Sequence, residues 1–298
     1  MRHTLPVQAA ACPGPDPRPH GPTRFTVPAG AVDTHAHVIG LPPTYPFTEQ
    51  RSYTPPAAPA SAYIEMLDRS GMAHGVLVQV SVHGSDNSLL LATLAQHRQR
   101  LRGIAVMPLG LPVAEYEKAR AAGVVGLRLN VLYGGGIGFD TLAEYGALAQ
   151  SMGWHLQFLV DARQLPALAS TIATLPVPYV VDHMGHFPAA LGVQSEGFET
   201  LLSLVKDGGW VKLSGAYRLS GQGLPYADTN DYARLLAEAA PERCVWGSDW
   251  PHVAHWNQPM MNVGDLLDTL HHWVPDAALR QRILVENAQR LYGFGSSA

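Results

Sequence analysis

Residues Gly75–Val106 read GVLVQVSVHGSDNSLLLATLAQHRQRLRGIAV. An apolar run, GVLVQV, gives way to a turn-forming stretch holding Gly84, Asp86 and Asn87. The pattern Leu89–Gln96 follows, and then a second apolar run, GIAV. The runs Gly75–Val80 and Gly103–Val106 are too uniformly apolar for a sheet with one wet face; strands buried on both faces read this way. A helix between two such strands is the crossover that parallel pairing requires. Asp86 and Asn87 stand where a cap for that helix belongs.

The same unit repeats outward in both directions. Further strands are expected at Ala31–Thr34, Gly126–Leu129, His155–Leu159, Pro178–Val181, Trp210–Leu213 and Cys244–Gly247. Helical spacing recurs at Ala60–Arg69, Val113–Ala122, Phe139–Ser151, Arg163–Thr174, Phe198–Lys206 and Tyr226–Glu238, and Ala277–Leu291 reads as a closing helix outside the sheet. Eight strands in strict alternation with helices predict an α/β fold, a closed (β/α)8 TIM barrel. An open doubly wound sheet is the alternative. No dinucleotide fingerprint follows the first strand, and Gly134-Gly135-Gly136 lacks the spacing of a phosphate loop, so it reads as a flexible connection.

Residues 1–24 are expected to form an extended, loosely ordered arm, and residues 25–298 a single barrel domain. Pro6 and Gln8 break any apolar core of a signal peptide, and Pro13, Pro15, Pro17 and Pro19 follow. No apolar stretch is long enough for a membrane span. The 298 residues carry 20 Lys+Arg against 24 Asp+Glu, a net charge of −4, with no basic cluster. Nucleic-acid and membrane partners are therefore not expected. The 2 cysteines, Cys12 and Cys244, allow neither a disulfide framework nor a cysteine metal site, which points to the cytoplasm.

Barrel enzymes carry their chemistry at the carboxyl ends of the strands. The first strand runs into Asp33-Thr34-His35-Ala36-His37, the sixth into Asp182-His183-Met184-Gly185-His186, and the eighth into Trp246-Gly247-Ser248-Asp249-Trp250-Pro251-His252. Histidines two apart on a strand point to one face, so His35 and His37 can converge on one target. A chance HxH is unremarkable among 14 histidines, but three such strand ends, each directly after an apolar run, are a constellation. Asp33 and Asp182 read as strand-end anchors, and His252 as either a rim contact or a turn residue.

The set DTHAH, DHMGH and WGSDWPH resembles the amidohydrolase superfamily, in its 2-pyrone-4,6-dicarboxylate lactonase-like subgroup. The likeness extends from Val27 onward through QVSVHGSDN (79–87), RGIAV (102–106), GLRLN (126–130), VKLSGAYR (211–218) and VENAQRLY (285–292). The resemblance implies that Asp249 is the general base that activates water. It implies that His35, His37 and His183 polarise the scissile carbonyl. Arg128 and Arg218 match arginines that bind substrate carboxylate, and Ser81, His83 and Tyr53 match substrate contacts.

His35, His37, His183 and Asp249 also form a chemically sensible set for one divalent ion, Zn²⁺ or Mn²⁺. A two-metal centre needs a bridging carboxylate and a further histidine. No lysine lies at the fourth or fifth strand end, and the seventh strand offers only Lys212, inside the strand. The resemblance to the lactonase subgroup implies metal-independent catalysis, so the expectation is no cofactor, with one ion as the alternative. The subgroup's pattern also breaks in places. Gly134 stands where its members have a second arginine, His186 where they have a third, and Leu159 where they have a tyrosine. A small anionic lactone is expected, and not the pyrone dicarboxylate as the best one. Sulfomuconolactone-like, muconolactone-type and sugar-acid lactones fit the subgroup's range, with His186 as a pocket residue. A metal-dependent decarboxylase, a lactone isomerase and a non-catalytic binding protein are the competing readings.

Overall fold

The computed structural model describes residues 9–295. The first eight residues of the expected arm and the last three of the expected domain lie outside the described residues. Eight parallel strands pair in sequence order: β1 (Val32–Ala36), β2 (His74–Val78), β3 (Leu101–Ala105), β4 (Val124–Asn130), β5 (His155–Leu159), β6 (Tyr179–Val181), β7 (Trp210–Leu213) and β8 (Cys244–Trp246). Between them lie α1 (Ala60–Ser70), α2 (Ser88–Gln96), α3 (Val113–Ala122), α4 (Leu142–Met152), α5 (Leu165–Ile172), α6 (Glu196–Lys206), α7 (Ala216–Leu219) and α8 (Asn230–Ala239). After β8 come α9 (Val263–Trp273), α10 (Ala277–Gln281), a π-helical turn (Arg282–Glu286) and α11 (Asn287–Tyr292). This is the expected (β/α)8 barrel, with strand limits moved by a few residues at most.

The ring closes between β1 and β8. His37 N–H donates to Trp250 O at 2.8 Å, Asp249 N–H donates to His35 O at 2.8 Å, and Ala36 bridges Trp250 in parallel. Leu77, Leu127, Phe158 and Leu213 sit in the main core with helix residues such as Leu67, Leu94 and Leu201. A second cluster holds Val32, Val76, Ile104, Val180 and Val245 with Tyr292 and Phe294. The chain's last helix therefore does more than cover the outside: its end is drawn under the barrel, where the apolar starts of the strands need a floor.

The N-terminal arm is extended and crosses the opposite rim. Cys12 N–H donates to Thr54 O at 3.0 Å, Thr54 N–H donates to Ala10 O at 2.8 Å, and Trp256 Nε1–H donates to Ala11 O at 2.8 Å. Farther along, His20 N–H donates to Asn262 Oδ1, and Thr23 donates through N–H and hydroxyl to Asp268. Among the described residues no helix is long and apolar enough to cross a membrane.

Candidate active site

The closing seam and the site are the same place. His35 is the fourth residue of β1, and His37 lies just beyond its end. The β1–β2 register shifts between Asp33 and Ala36. Asp33 is buried and ties the seam from below: it accepts from Ser248 N–H at 2.8 Å, Ser248 Oγ at 2.7 Å, Tyr63 OH at 3.1 Å and His35 N–H at 3.2 Å. It anchors the strand end, as its position suggests. Gly247 lets β8 come this close, because a Cβ there would lie 2.6 Å from that of His35.

Three imidazoles surround one carboxylate. His35 Nε2 and His37 Nε2 each lie 3.7 Å from Asp249 Oδ1, and His183 Nε2 lies 3.7 Å from Asp249 Oδ2. Each ring is held from behind: His37 Nδ1 is 2.7 Å from Val78 O, His183 Nδ1 is 2.8 Å from Ser214 Oγ, and His35 Nδ1 is 3.0 Å from Lys212 Nζ. Gly215 (φ 66°) adopts a conformation that disfavours a Cβ, and a Cβ there would sit 2.9 Å from the His183 ring. His183, His186, Asp249 and His252 all have positive φ, between 44° and 62°. Such backbone costs of order 1–3 kcal/mol per residue and persists where the surroundings over-determine it.

The electrostatics separate the two kinds of group. Burial would raise the Asp249 carboxyl, but the Arg218 guanidinium and the histidines outweigh it and hold the group well below the usual carboxylate range. Burial pulls the imidazoles the other way: His35 falls to about 3, His37 is lowered, and His183 falls well below its ordinary value. At neutral pH an ionised carboxylate thus stands among neutral imidazoles. Arg218 Nε donates to Asp249 Oδ2 at 2.5 Å and Tyr217 OH donates to the same oxygen at 2.6 Å. Asp249 Oδ1 has no protein hydrogen-bond partner among the described residues.

A neutral-histidine cup around a buried carboxylate at the carboxyl end of a parallel barrel has a matching family. The amidohydrolase family model matches residues 32–294. The chain belongs to the amidohydrolase family. A 4-sulfomuconolactone hydrolase of Rhizobium radiobacter is 37% identical over 289 residues, 95% of this chain and 96% of that one. A 2-pyrone-4,6-dicarboxylate hydrolase of Comamonas testosteroni is 35% identical over 282 residues, covering 90% and 92%. Among solved structures, a probable 2-pyrone-4,6-dicarboxylic acid hydrolase from Acinetobacter baumannii, with citric acid bound, superposes with a TM-score of 0.79 at 28% identity, covering 89% of this chain and 100% of that one.

Within this amidohydrolase barrel the other expected residues divide. Arg218 reaches the cup, but its nitrogens already bind protein: besides Asp249, Nη1 donates to Tyr133 OH at 3.1 Å and Nη2 donates to Val253 O at 3.2 Å. Arg128 is buried, with Nη1 donating to Gln79 O at 3.2 Å and Nη2 3.8 Å from Asp182, while its Nε has no protein partner among the described residues. Tyr53 OH and Ser81 Oγ share a 3.1 Å hydrogen bond. His83 is turned to the loop after β1, with Nδ1 3.1 Å from Pro46 O and Nε2 accepting from Gly40 N–H at 3.4 Å. His186 is pulled down to about 4 by burial, so it brings no charge to the place of an arginine. His252 packs edge-on to Tyr217.

Two groups at this rim escape a reading of the sequence, and a third, inside the barrel, is visible there without a role. Tyr217 is signalled only by its adjacency to Arg218. Tyr133 arrives on the glycine loop, its ring edge-on to Tyr53 and His186, and no pattern announces it. Lys212 has a signal, a charge inside the apolar run WVKL. Burial pulls its ammonium down to about 8, opposed by Asp182 beside it. A cleft of about 540 Å³ at the other end of the barrel, beside His155, Trp210 and Tyr292, contains none of these groups.

The donor set has the composition and spacing for one divalent ion. His35, His37 and Asp249 offer ligand atoms within 4.8 Å of one another, as do His35, Asp182 and His183. His35 Nε2 and Asp249 Oδ1 are buried without protein partners among the described residues. An ion held by His35, His37, His183 and Asp249 would supply Lewis-acid polarisation of a carbonyl.

Proposed function

We propose that this protein hydrolyses a small anionic lactone, with Asp249 as general base and neutral imidazoles polarising the carbonyl. The observation that carries the reading is the free Oδ1 of an ionised Asp249, facing His35 and His37 at 3.7 Å. The relatives named as lactone hydrolases support the substrate class. Arg218 and Tyr217 occupy Oδ2, so Oδ1 is the oxygen that accepts a proton. His37 has its proton on Nδ1, because Val78 O can only accept; its Nε2 lone pair joins Asp249 Oδ1 in holding the two protons of a water. The water oxygen bonds to the carbonyl carbon as its proton passes to Asp249. The carbonyl oxygen becomes an oxyanion, stabilised by imidazole N–H groups. Collapse breaks the ring C–O bond, and the departing alkoxide takes the proton back from Asp249. The products are a hydroxy group and a carboxylate, whose proton goes to solvent. No step needs a metal, and the proposal is metal-free catalysis.

The substrate's anionic groups are assigned to the free Nε of Arg128 and to Arg218, which keeps Nε on Asp249 and exchanges its Nη contacts to Tyr133 and Val253 for them. The pyrone dicarboxylate is disfavoured. A side chain at Gly134 would overlap the carbonyl oxygen of Gln50, and His186 is uncharged. Each missing charge-assisted contact is worth roughly 1.5–3 kcal/mol. The test is a panel of small lactones, carrying one or two carboxylates or a sulfonate, followed by proton release. The reading predicts ring opening of at least one, with higher kcat/KM than for the pyrone dicarboxylate. No hydrolysis of any, or the pyrone dicarboxylate as best substrate, would overturn the respective part.

A further inference from the structure

Lys212 is fully buried inside the barrel, and nothing in the water-activation scheme uses it. Its Nζ donates to Thr34 O at 2.8 Å, lies 3.0 Å from His35 Nδ1, and pairs with Asp182 Oδ1 at 3.3 Å. Asp182 also accepts from Gln157 Nε2 at 3.1 Å. A carboxylate this deep needs a counter-ion, and Lys212 is nearer to it than Arg128, at 3.8 Å.

An ammonium has only donors. Facing Lys212 at 3.0 Å, His35 Nδ1 must therefore present its lone pair, and a neutral imidazole then carries its proton on Nε2. The other tautomer would aim Nδ1–H at Asp182 Oδ1, 3.4 Å away, but that hydrogen would also meet the closer cation. His37 is fixed the opposite way by Val78 O. The two histidines of one motif thus present unlike faces to one point: His35 a donor, His37 an acceptor.

We propose that Lys212 is a positioning residue that holds His35 in the Nε2–H tautomer, so that His35 donates to the substrate's carbonyl oxygen and binds a divalent ion through Nε2 only weakly. The use of His35 toward a carbonyl rests on the lactonase reading; the tautomer and the weakened ion binding do not. Without the lysine, His35 Nδ1–H would donate to Asp182 Oδ1, leaving the Nε2 lone pair facing the cup. A carboxylate–histidine pair of that kind favours metal binding.

The test is a two-bond ¹H–¹⁵N correlation spectrum of ligand-free, metal-free protein with ¹⁵N-labelled histidine rings, in which His35→Gln identifies the His35 signals. Wild-type protein is expected to show protonated Nε2 and bare Nδ1 at His35, and Lys212→Met the reverse. Zinc titration by calorimetry is expected to show binding at least about tenfold tighter in Lys212→Met than in wild type, on the scale of outer-shell effects. A wild-type His35 protonated on Nδ1 overturns the proposal, whether or not the variant folds. So does a folded variant with unchanged tautomer or unchanged zinc affinity. Failure of every lactone in the panel would remove the lactonase reading, whereas the proton position at His35 is read without any substrate.

Discussion

The main-chain N–H of Asp249 donates to the carbonyl oxygen of His35 at 2.8 Å. One hydrogen bond therefore both helps close the barrel and sets the distance between the proposed base and the histidine proposed to polarise the carbonyl. Fold and site are built by the same contacts, so changes at the seam should register in both stability and rate.

Ser248→Ala tests this coupling. The Ser248 hydroxyl donates to Asp33 inside the seam at 2.7 Å. Its loss leaves a buried carboxylate short of one donor, costing about 1–3 kcal/mol. Denaturant unfolding should show that loss, and kcat should fall while KM changes little, because Asp249 is the next residue.

Arg218→Gln should separate binding from base tuning. Asp249 is depressed in the folded protein, so the proposed base function is present above the depressed value and lost only as pH falls through it. Removing the guanidinium should move the acid limb of kcat/KM upward toward the ordinary carboxylate range, and should raise KM for an anionic lactone. An acid limb that stays in place would take Arg218 out of the electrostatics of the base.

Gly134→Arg should not create a pyrone dicarboxylate hydrolase. The Gln50 main chain occupies the space a side chain would need, and Gly134 N–H donates to Ser52 Oγ at 3.0 Å. Forcing a side chain in should cost roughly 1–3 kcal/mol, as overpacking does. A stable variant with a large gain on the pyrone dicarboxylate would show that this loop is not what limits the substrate.

The barrel is legible because eight continuous apolar runs each meet a helix pattern, and a doubly buried strand leaves little else for such runs to be. Helix α9 is not legible: Val263–Trp273 follows a loop crowded with Pro251, His255, Asn257 and Pro259, and its His271-His272 pair reads as surface. Helix α7, four residues long, is too short for any period to show, yet it carries Tyr217 and Arg218. The catalytic candidates stand out because their strand ends put polar residues directly after buried ones. Lys212 carries the same kind of signal within a strand. Its meaning depends on which residues at the end of β6 and in β1 meet it inside the barrel, and that is set by register running from β6 through β7 and β8 to β1.

Asp249→Asn is the direct probe of the base. Loss of general-base catalysis should lower kcat by about 10²–10⁴-fold, with binding of the lactone retained. The asparagine can still accept from Tyr217, so the fold should survive, as a thermal melt would verify.

Asp249 is proposed to activate water without a metal. The most direct measurement is proton release from the preferred lactone by wild-type protein before and after exhaustive chelation, with metal content determined on the same samples. Undiminished turnover at negligible metal content is expected. Turnover that disappears on chelation and returns with stoichiometric zinc would contradict it.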